Sequence, residues 1–239
     1  MMSTPTDQRL LTVAAAQLGP IKSLDSPRSE ALARMIKLCE EAKANNVRLV
    51  VFPELAFTTF FPGYIIEKQE DLDKFFESAS PEDPYSFIHS PNGKPLFDKA
   101  AELGIDIYVG YGERWTDKDG KTSYYNTAIY YSATQRRGIA KYRKIHLPGR
   151  YEPDTRPGVA QQLEKRVFAV GDLGFEAFRV PDLIAGTVKS KDATSLEDTQ
   201  GKGDPILGML LCNDRRWAES WRSYGLQGVE LVLVSGLRE

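Results

Sequence analysis

The stretch LLCNDRRW at 210–217 sets a thiol at the end of an apolar run, with two guanidinium groups close behind it. Cys212 closes the run 206–211, which has the length and composition of a buried strand. A side chain at the carboxyl end of such a strand sits where open α/β sheets hold their ligands. A following helix N-terminus and neighbouring cations would favour the thiolate, the nucleophilic form of cysteine. The residue type alone also allows a plainer role, because cysteine is a good small apolar filler. Arg215 and Arg216 have two readings as well. They are solvated surface charge, or a fork that takes a carboxylate through paired N–H donors.

Two further positions could carry proton chemistry. Glu54 follows the apolar stretch VRLVVF through Pro53 and precedes the apolar LAFTTFFPGY. A carboxylate in that setting loses water, and desolvation suits it to accept a proton near neutral pH. The alternative is an edge charge at a strand terminus. Lys144 lies in GIAKYRKIHLPG at 138–149. Strand alternation puts Lys141 and Arg143 on one face and Tyr142 and Lys144 on the other. If Tyr142 packs inward, Lys144 does too, and an inward ammonium needs a partner. His146 stands beside it with no second histidine near, and His89 sits in a polar loop.

The elements that must position these groups follow from periodicity. An apolar run at 10–18 ending in Gly19–Pro20 reads as a strand. The segment 27–46 is helical: Leu32, Met35, Ile36, Cys39 and Ala42 make one apolar stripe, with Ser26 as N-cap and Pro27 in the first turn. Cys39 on that stripe is core. Residues 47–52 form the next strand, completing a β-α-β start. Helices are expected at 67–78 and 95–103, then consecutive antiparallel strands at 105–115, 123–133 and 137–142. Strands at 175–180, 206–211 and 229–234 and a helix at 217–224 complete the list. The polar segment 181–205 reads as an exposed insertion. No internal repeat or linker breaks the chain, so 1–239 is one α/β domain with a mixed sheet.

Composition removes several classes of function. Of 239 residues 41% are hydrophobic and 27% charged, and the net charge of −2 leaves no basic footprint for nucleic acid or an anionic membrane. No run is long enough to span a bilayer, and the N-terminus lacks the pattern of a secretory signal. Two cysteines imply no disulfide framework, which favours a reducing compartment and a cytoplasmic location. There is no zinc-ligand spacing, no phosphate-binding glycine loop and no Gly-x-Ser-x-Gly elbow, so no metal or organic cofactor is expected.

Three segments together resemble one family. FPELAFTTFFP at 52–62 carries a glutamate, KYRKIHLPG at 141–149 a lysine and LLCNDRRWAES at 210–220 a cysteine. In that order they are similar to the Glu-Lys-Cys triad of the nitrilase, or carbon-nitrogen hydrolase, superfamily. The second and third, with LEKRVFAVGDLGF at 163–175 between them, are most similar to its N-carbamoyl-D-amino acid amidohydrolase branch. The resemblance implies a four-layer αββα sandwich. It also implies Glu54 as general base, Lys144 as stabiliser of the tetrahedral oxyanion and Cys212 as nucleophile. Glu164 matches a second glutamate that holds the lysine, and His146 a histidine of the pocket. Arg215 and Arg216 match residues that bind a substrate carboxylate, with Asn213 beside them on the substrate side. A further pocket histidine is expected two residues before Glu164, where this chain has Gln162.

The resemblance thus implies hydrolysis of a C–N bond in a small carboxylate-bearing molecule, an N-carbamoyl amino acid, through a cysteine-bound carbamoyl intermediate. Another amide, nitrile or ureido acid is the alternative within the family. Family members are expected to be homo-oligomers and to continue well past the strand GVELVLV, whereas Glu239 ends this chain five residues later. The expected sandwich is therefore C-terminally truncated, with open edges. A triad-bearing chain that acts only by association is the rival reading.

Overall fold

The computed structural model describes residues 9–188 and 202–236. Two sheets face each other. The larger has the order β1 (Val13–Ala15), β2 (Leu49–Val51), β4 (Asp106–Thr116), β5 (Thr122–Ser132) and β6 (Arg137–Arg143), and β3 (Phe76–Ala79) also pairs with β4. The smaller has β7 (Phe178–Arg179), β8 (Ile206–Leu211) and β9 (Leu231–Ser235). β1, β2 and β4 are mutually parallel, as the β-α-β start requires, while β4, β5 and β6 form the expected antiparallel run.

Alternation along these strands builds two cores. Ile107, Val109, Tyr111, Ile129 and Tyr131 meet Met35, Cys39 and Ala42 of α1 (Arg28–Ala44) and Leu96, Phe97 and Ala100 of α3 (Lys94–Leu103). The opposite face, with Tyr108, Ala128, Tyr130 and Tyr142, packs on Leu207, Met209 and Leu211 of the second sheet. Beyond that sheet α5 (Ala218–Leu226) docks through Tyr224, whose hydroxyl donates to Met209 O at 2.6 Å. Gly208 makes room for that ring, since a Cβ there would lie 2.8 Å from it. The result is a helix, sheet, sheet, helix order, the four-layer sandwich that the resemblance implies. No helix among the described residues is long and apolar enough to cross a membrane.

Several expectations need correction. The stretch 67–78 is not one helix: α2 covers only Gln69–Asp73, and the chain then extends as β3. Phe76 is drawn into a cluster with Phe61, Tyr124 and Phe168, and β3 pairs with Gly112–Trp115, so tertiary packing overrides local propensity. The strands expected at 10–18 and 175–180 shrink to Val13–Ala15 and Phe178–Arg179. Pro27 itself occupies the cap position of α1, with no side-chain capping bond from Ser26. The described flanks of 181–205 are mixed: Leu183 and Asp204 are buried, whereas Ala185, Gly186, Val188 and Lys202 are exposed. The middle, 189–201, lies outside the described residues.

Candidate active site

The backbone around Glu54 is set by the way β4 divides its partners. β2 pairs with Asp106–Tyr108 and β3 with Gly112–Trp115 on the same flank of β4. The chain leaving β2 crosses the gap between them, held by Phe52 N donating to Tyr108 O (2.8 Å) and Ala56 N to Gly110 O (3.0 Å). Gly110 must be glycine here, because a Cβ would sit 2.9 Å from Glu54 Cα. Leu55 turns through positive φ (48°) and drops into a cluster with Phe61, Phe76, Leu147 and Phe168. That cluster ties the Glu54 segment to α4 (Glu164–Val167), whose first residue is Glu164. Leu163 N donates to Pro62 O at 2.9 Å and fixes α4 from the other side.

Lys144 extends β6 by one residue, its N–H donating to Asn126 O at 2.8 Å. Its side chain shares Tyr142's inward face, as alternation requires, and both are buried. The ammonium is the meeting point of two carboxylates. Nζ donates to Glu54 Oε1 at 2.7 Å and to Glu164 Oε2 at 2.6 Å, and all three residues are at most 1% exposed. Asn126 Nδ2 joins them, donating to Glu54 Oε1 at 2.7 Å and to Glu164 Oε2 at 3.4 Å. Burial works to lower the Lys144 ammonium, but the charges of Glu54 and Glu164 outweigh it and hold it above its ordinary range. Burial pushes the Glu164 carboxyl up to about 7; Glu54 adds to the shift and Lys144 opposes it.

Cys212 approaches from the second sheet. It ends β8 with φ at 45°, an uncommon conformation for a residue with a Cβ, and opens a 3-10 turn over Cys212–Arg216. Its thiol is half-buried and near enough to feel both Glu54 and Lys144. Burial, and next the Glu54 charge, push that thiol above its ordinary range, while Lys144 and a contact from Arg215 pull the other way. Burial thus outweighs the help that neighbouring cations give the thiolate. The sulfur here keeps its proton until a base takes it, and the nearby base is a carboxylate. Cys39, deep under α1, is pushed up to about 12 by burial and is core as expected.

A single buried carboxylate joins the cysteine turn to the lysine strand. Asp214 Oδ1 accepts from His146 N and pairs with His146 Nδ1, both at 2.8 Å. Its Oδ2 accepts from Tyr142 OH at 2.8 Å and from Leu211 N at 3.2 Å. His146 is further fixed by stacking on Trp217 at 4.7 Å. Asn213 spends its amide on the carbonyl of His146 at 3.0 Å, a contact that braces the turn. Arg215 is exposed and donates to Cys212 O at 2.6 Å, and Arg216 is exposed beside it. Gln162 faces solvent, and its carbonyl takes Arg150 N at 2.9 Å.

Glu54, Lys144 and Glu164 thus meet at one ammonium, with Cys212 within reach of their charges. His146 and Asn213 lie next to them as braces, and Arg215 and Arg216 stand on the outer side of the turn. Sequence reasoning passed over Asn126 and Asp214. Asn126 had a signal: it is a lone amide in the tyrosine-rich YYNTAIYY and shares the inward register of Ala128 and Tyr130. Asp214 had none, being one more polar residue in a polar turn. Chemically, the arrangement offers a protonated nucleophile, a carboxylate to deprotonate it and a buried cation for a developing negative oxygen.

A nitrilase of Pyrococcus abyssi is 30% identical over 223 residues, covering 93% of this chain and 63% of that protein. An N-carbamoylputrescine amidase of Solanum tuberosum is 26% identical over 224 residues, covering 94% of this chain and 57% of that protein. The chain therefore spans less than two thirds of the length of either relative. Among solved structures, a carbon-nitrogen hydrolase from Helicobacter pylori G27 superposes with a TM-score of 0.64 at 20% identity, covering 95% of this chain and 59% of that one. An amidase from Nesterenkonia sp. gives 0.62 at 18% identity, covering 95% and 65%. The family model for carbon-nitrogen hydrolases matches residues 12–238. A match over nearly the whole length, on a chain that brings these remote residues to one ammonium, means that the protein belongs to the carbon-nitrogen hydrolase family.

Proposed function

We propose that this chain carries the catalytic centre of a hydrolase that cleaves a non-peptide C–N bond, with Cys212 as nucleophile. The observation that carries the reading is the buried ammonium of Lys144 shared by Glu54 and Glu164, beside a thiol held in its protonated form. Glu54 takes the thiol proton as Sγ attacks the carbonyl carbon. Lys144 faces the oxygen that becomes negative, an interaction often worth about 3–4 kcal/mol per donor. The C–N bond breaks, and the proton on Glu54 goes to the departing amine. Glu54 then takes a proton from water, whose oxygen attacks the acyl carbon, and returns that proton to the sulfur as the thiol leaves. Glu164 holds the lysine in place. The covalent step has a parallel in a variant of the Nesterenkonia sp. AN1 amidase, which carries the acetamide moiety of fluoroacetamide covalently at its active-site cysteine.

The substrate that best suits the charges around Cys212 is an N-carbamoyl amino acid, including the D-series. Its carboxylate would meet Arg215 and Arg216, with Asn213 and His146 bordering the same turn. The amino acid leaves as the departing amine, and hydrolysis of the remaining carbamoyl-enzyme gives carbamic acid, which falls apart to carbon dioxide and ammonia. A simple amide or a ureido acid is the second reading, favoured by the exposure of both arginines, which leaves the fork unformed before a ligand arrives. Intact-protein mass spectrometry after incubation with N-carbamoyl amino acids of both hands, ureido acids and simple amides tests both. A carbamoyl adduct on Cys212 from N-carbamoyl amino acids and not from the longer ureido acids, absent in Cys212→Ala, supports the first. An acyl adduct from simple amides only would move the assignment to the second. No adduct with any of them, with the fold intact, removes the reading.

A further inference from the structure

Two carboxylates contact the same lysine at nearly equal distance, so Lys144 cannot by itself decide which of them is the base. The distances are 2.7 Å to Glu54 and 2.6 Å to Glu164. The only other donor at this cluster among the described residues is Asn126 Nδ2, and it is not impartial. It stands 2.7 Å from Glu54 Oε1 but 3.4 Å from Glu164 Oε2. A hydrogen bond to a carboxylate favours its charged form, and the effect falls steeply with distance.

The same contacts orient Glu54. Both donors, Lys144 and Asn126, fall on Oε1, and Oε2 is buried with no hydrogen-bond partner among the described residues. The oxygen left open is the one that can take a proton. Glu164 Oε1 is similarly open and buried. We propose that Asn126 is the positioning residue that makes Glu54, and not Glu164, the base of the pair, with its open oxygen available to the thiol of Cys212. The inference rests on the reading of Glu54 as the base. The Asn126 amide donates to Glu54 and Glu164 and acts through them.

The charge environment leaves this role to Asn126. Lys144 faces Glu54 from the end of β6 and Glu164 from α4. Cys212, Arg215 and Asp214 lie on the cysteine turn, and Tyr108 lies beneath on β4. Of these, Lys144 serves both carboxylates, Arg215 contacts Cys212, and Asp214 is saturated by His146, Tyr142 and Leu211. Asn126 is held independently of its side chain, because its carbonyl accepts the Lys144 N–H and its strand pairs on both sides.

The test is the pH profile of Cys212 alkylation by iodoacetamide, resolved from Cys39 by peptide mass spectrometry. It needs no turnover. The native protein should show a low-pH limb set by the carboxylate pair, well below the ionisation of the thiol itself. In Asn126→Ala that limb should rise by about one pH unit, the effect of losing a hydrogen bond to a charged group. In the isosteric Asn126→Asp, a third carboxyl should raise it further. Circular dichroism checks folding, and Asn126→Asp carries the test alone if the alanine variant does not fold. A limb that stays in place while rates fall equally at every pH makes Asn126 merely structural and overturns the proposal. A native profile with no low-pH limb overturns the assignment of Glu54 as base, and this inference with it.

Discussion

Asp106 and Glu164 are buried carboxylates that burial drives in the same direction for different ends. Asp106 lies at the start of β4, accepting from Tyr130 OH (2.9 Å) and Ala133 N (2.8 Å). Burial still pushes its carboxyl up from 3.8 to about 6, with those hydrogen bonds opposing. The folded state therefore holds a proton across this window that the unfolded chain has released. The resulting stabilisation is complete below the window and is lost as pH rises through it. Asp106→Asn cannot titrate and keeps an acceptor for Ala133. Thermal melts between about pH 4 and pH 6 should show the native protein losing on the order of 2 kcal/mol relative to this variant. Parallel slopes in the two proteins would assign the decline to other groups. Glu164 adds a similar decline nearer neutrality, which is present in both proteins and so cancels in the comparison.

At the scale of elements, β4 acts as the spine of the site. One flank serves β2 and then β3, and the Glu54 segment bulges over the stretch between them. A methyl group at Gly110 would lie 2.9 Å from Glu54 Cα and 3.0 Å from Leu55 N. Those are backbone atoms and cannot swing aside. Gly110→Ala should therefore destabilise by about 1–3 kcal/mol, as overpacking does, and slow Cys212 alkylation by displacing Glu54. Gly225, inside α5 with open space around it, is the control. Gly225→Ala should raise the melting temperature slightly, in line with helix propensity, and leave alkylation unchanged. Equal behaviour of the two variants in denaturation and alkylation would refute the packing argument. Behind β6, Lys141 and Arg143 both close on the buried Glu113, at 2.6 and 2.7 Å. Arg143 also lies over the rings of Trp115 and Tyr125. The outer face of the strand is thus as tightly held as the face that carries Lys144.

The whole molecule depends on two sheets keeping their spacing, because Glu54 and Lys144 stand on one and Cys212 on the other. Tyr108 crosses between them. Its hydroxyl donates to Leu210 O at 2.9 Å and lies 3.0 Å from Ser235 Oγ, so one β4 side chain grips the ends of β8 and β9. Asp214 makes the second link, from the cysteine turn to Tyr142 and His146. Tyr108→Phe leaves the ring in place and removes the grip. It should cost about 1–3 kcal/mol in urea denaturation, since a buried carbonyl loses its partner. It should also flatten the low-pH limb of Cys212 alkylation as the thiol drifts from Glu54. A variant with native stability and native alkylation would show that the sheets are held by apolar packing alone.

Much of this was legible in the chain itself, wherever a short-range period carries the information. The stripe of α1 placed Cys39 in the core, alternation in β6 separated Tyr142 and Lys144 from Lys141 and Arg143, and the end of an apolar run located Cys212. The order of three segments pointed to the family. The split of 67–78 into a helical turn and a strand was not legible, because Phe76 answers to Phe61, Tyr124 and Phe168, which lie far from it along the chain. Nor were the partners of Lys144, the bridging by Asn126, the hub at Asp214 or the protonated state of Cys212. Those properties come from desolvation and from charges many residues away along the chain. Periodicity is a local property that the order of residues encodes directly, whereas hydrogen-bond partners and proton affinities exist only once remote segments share one water-excluded space.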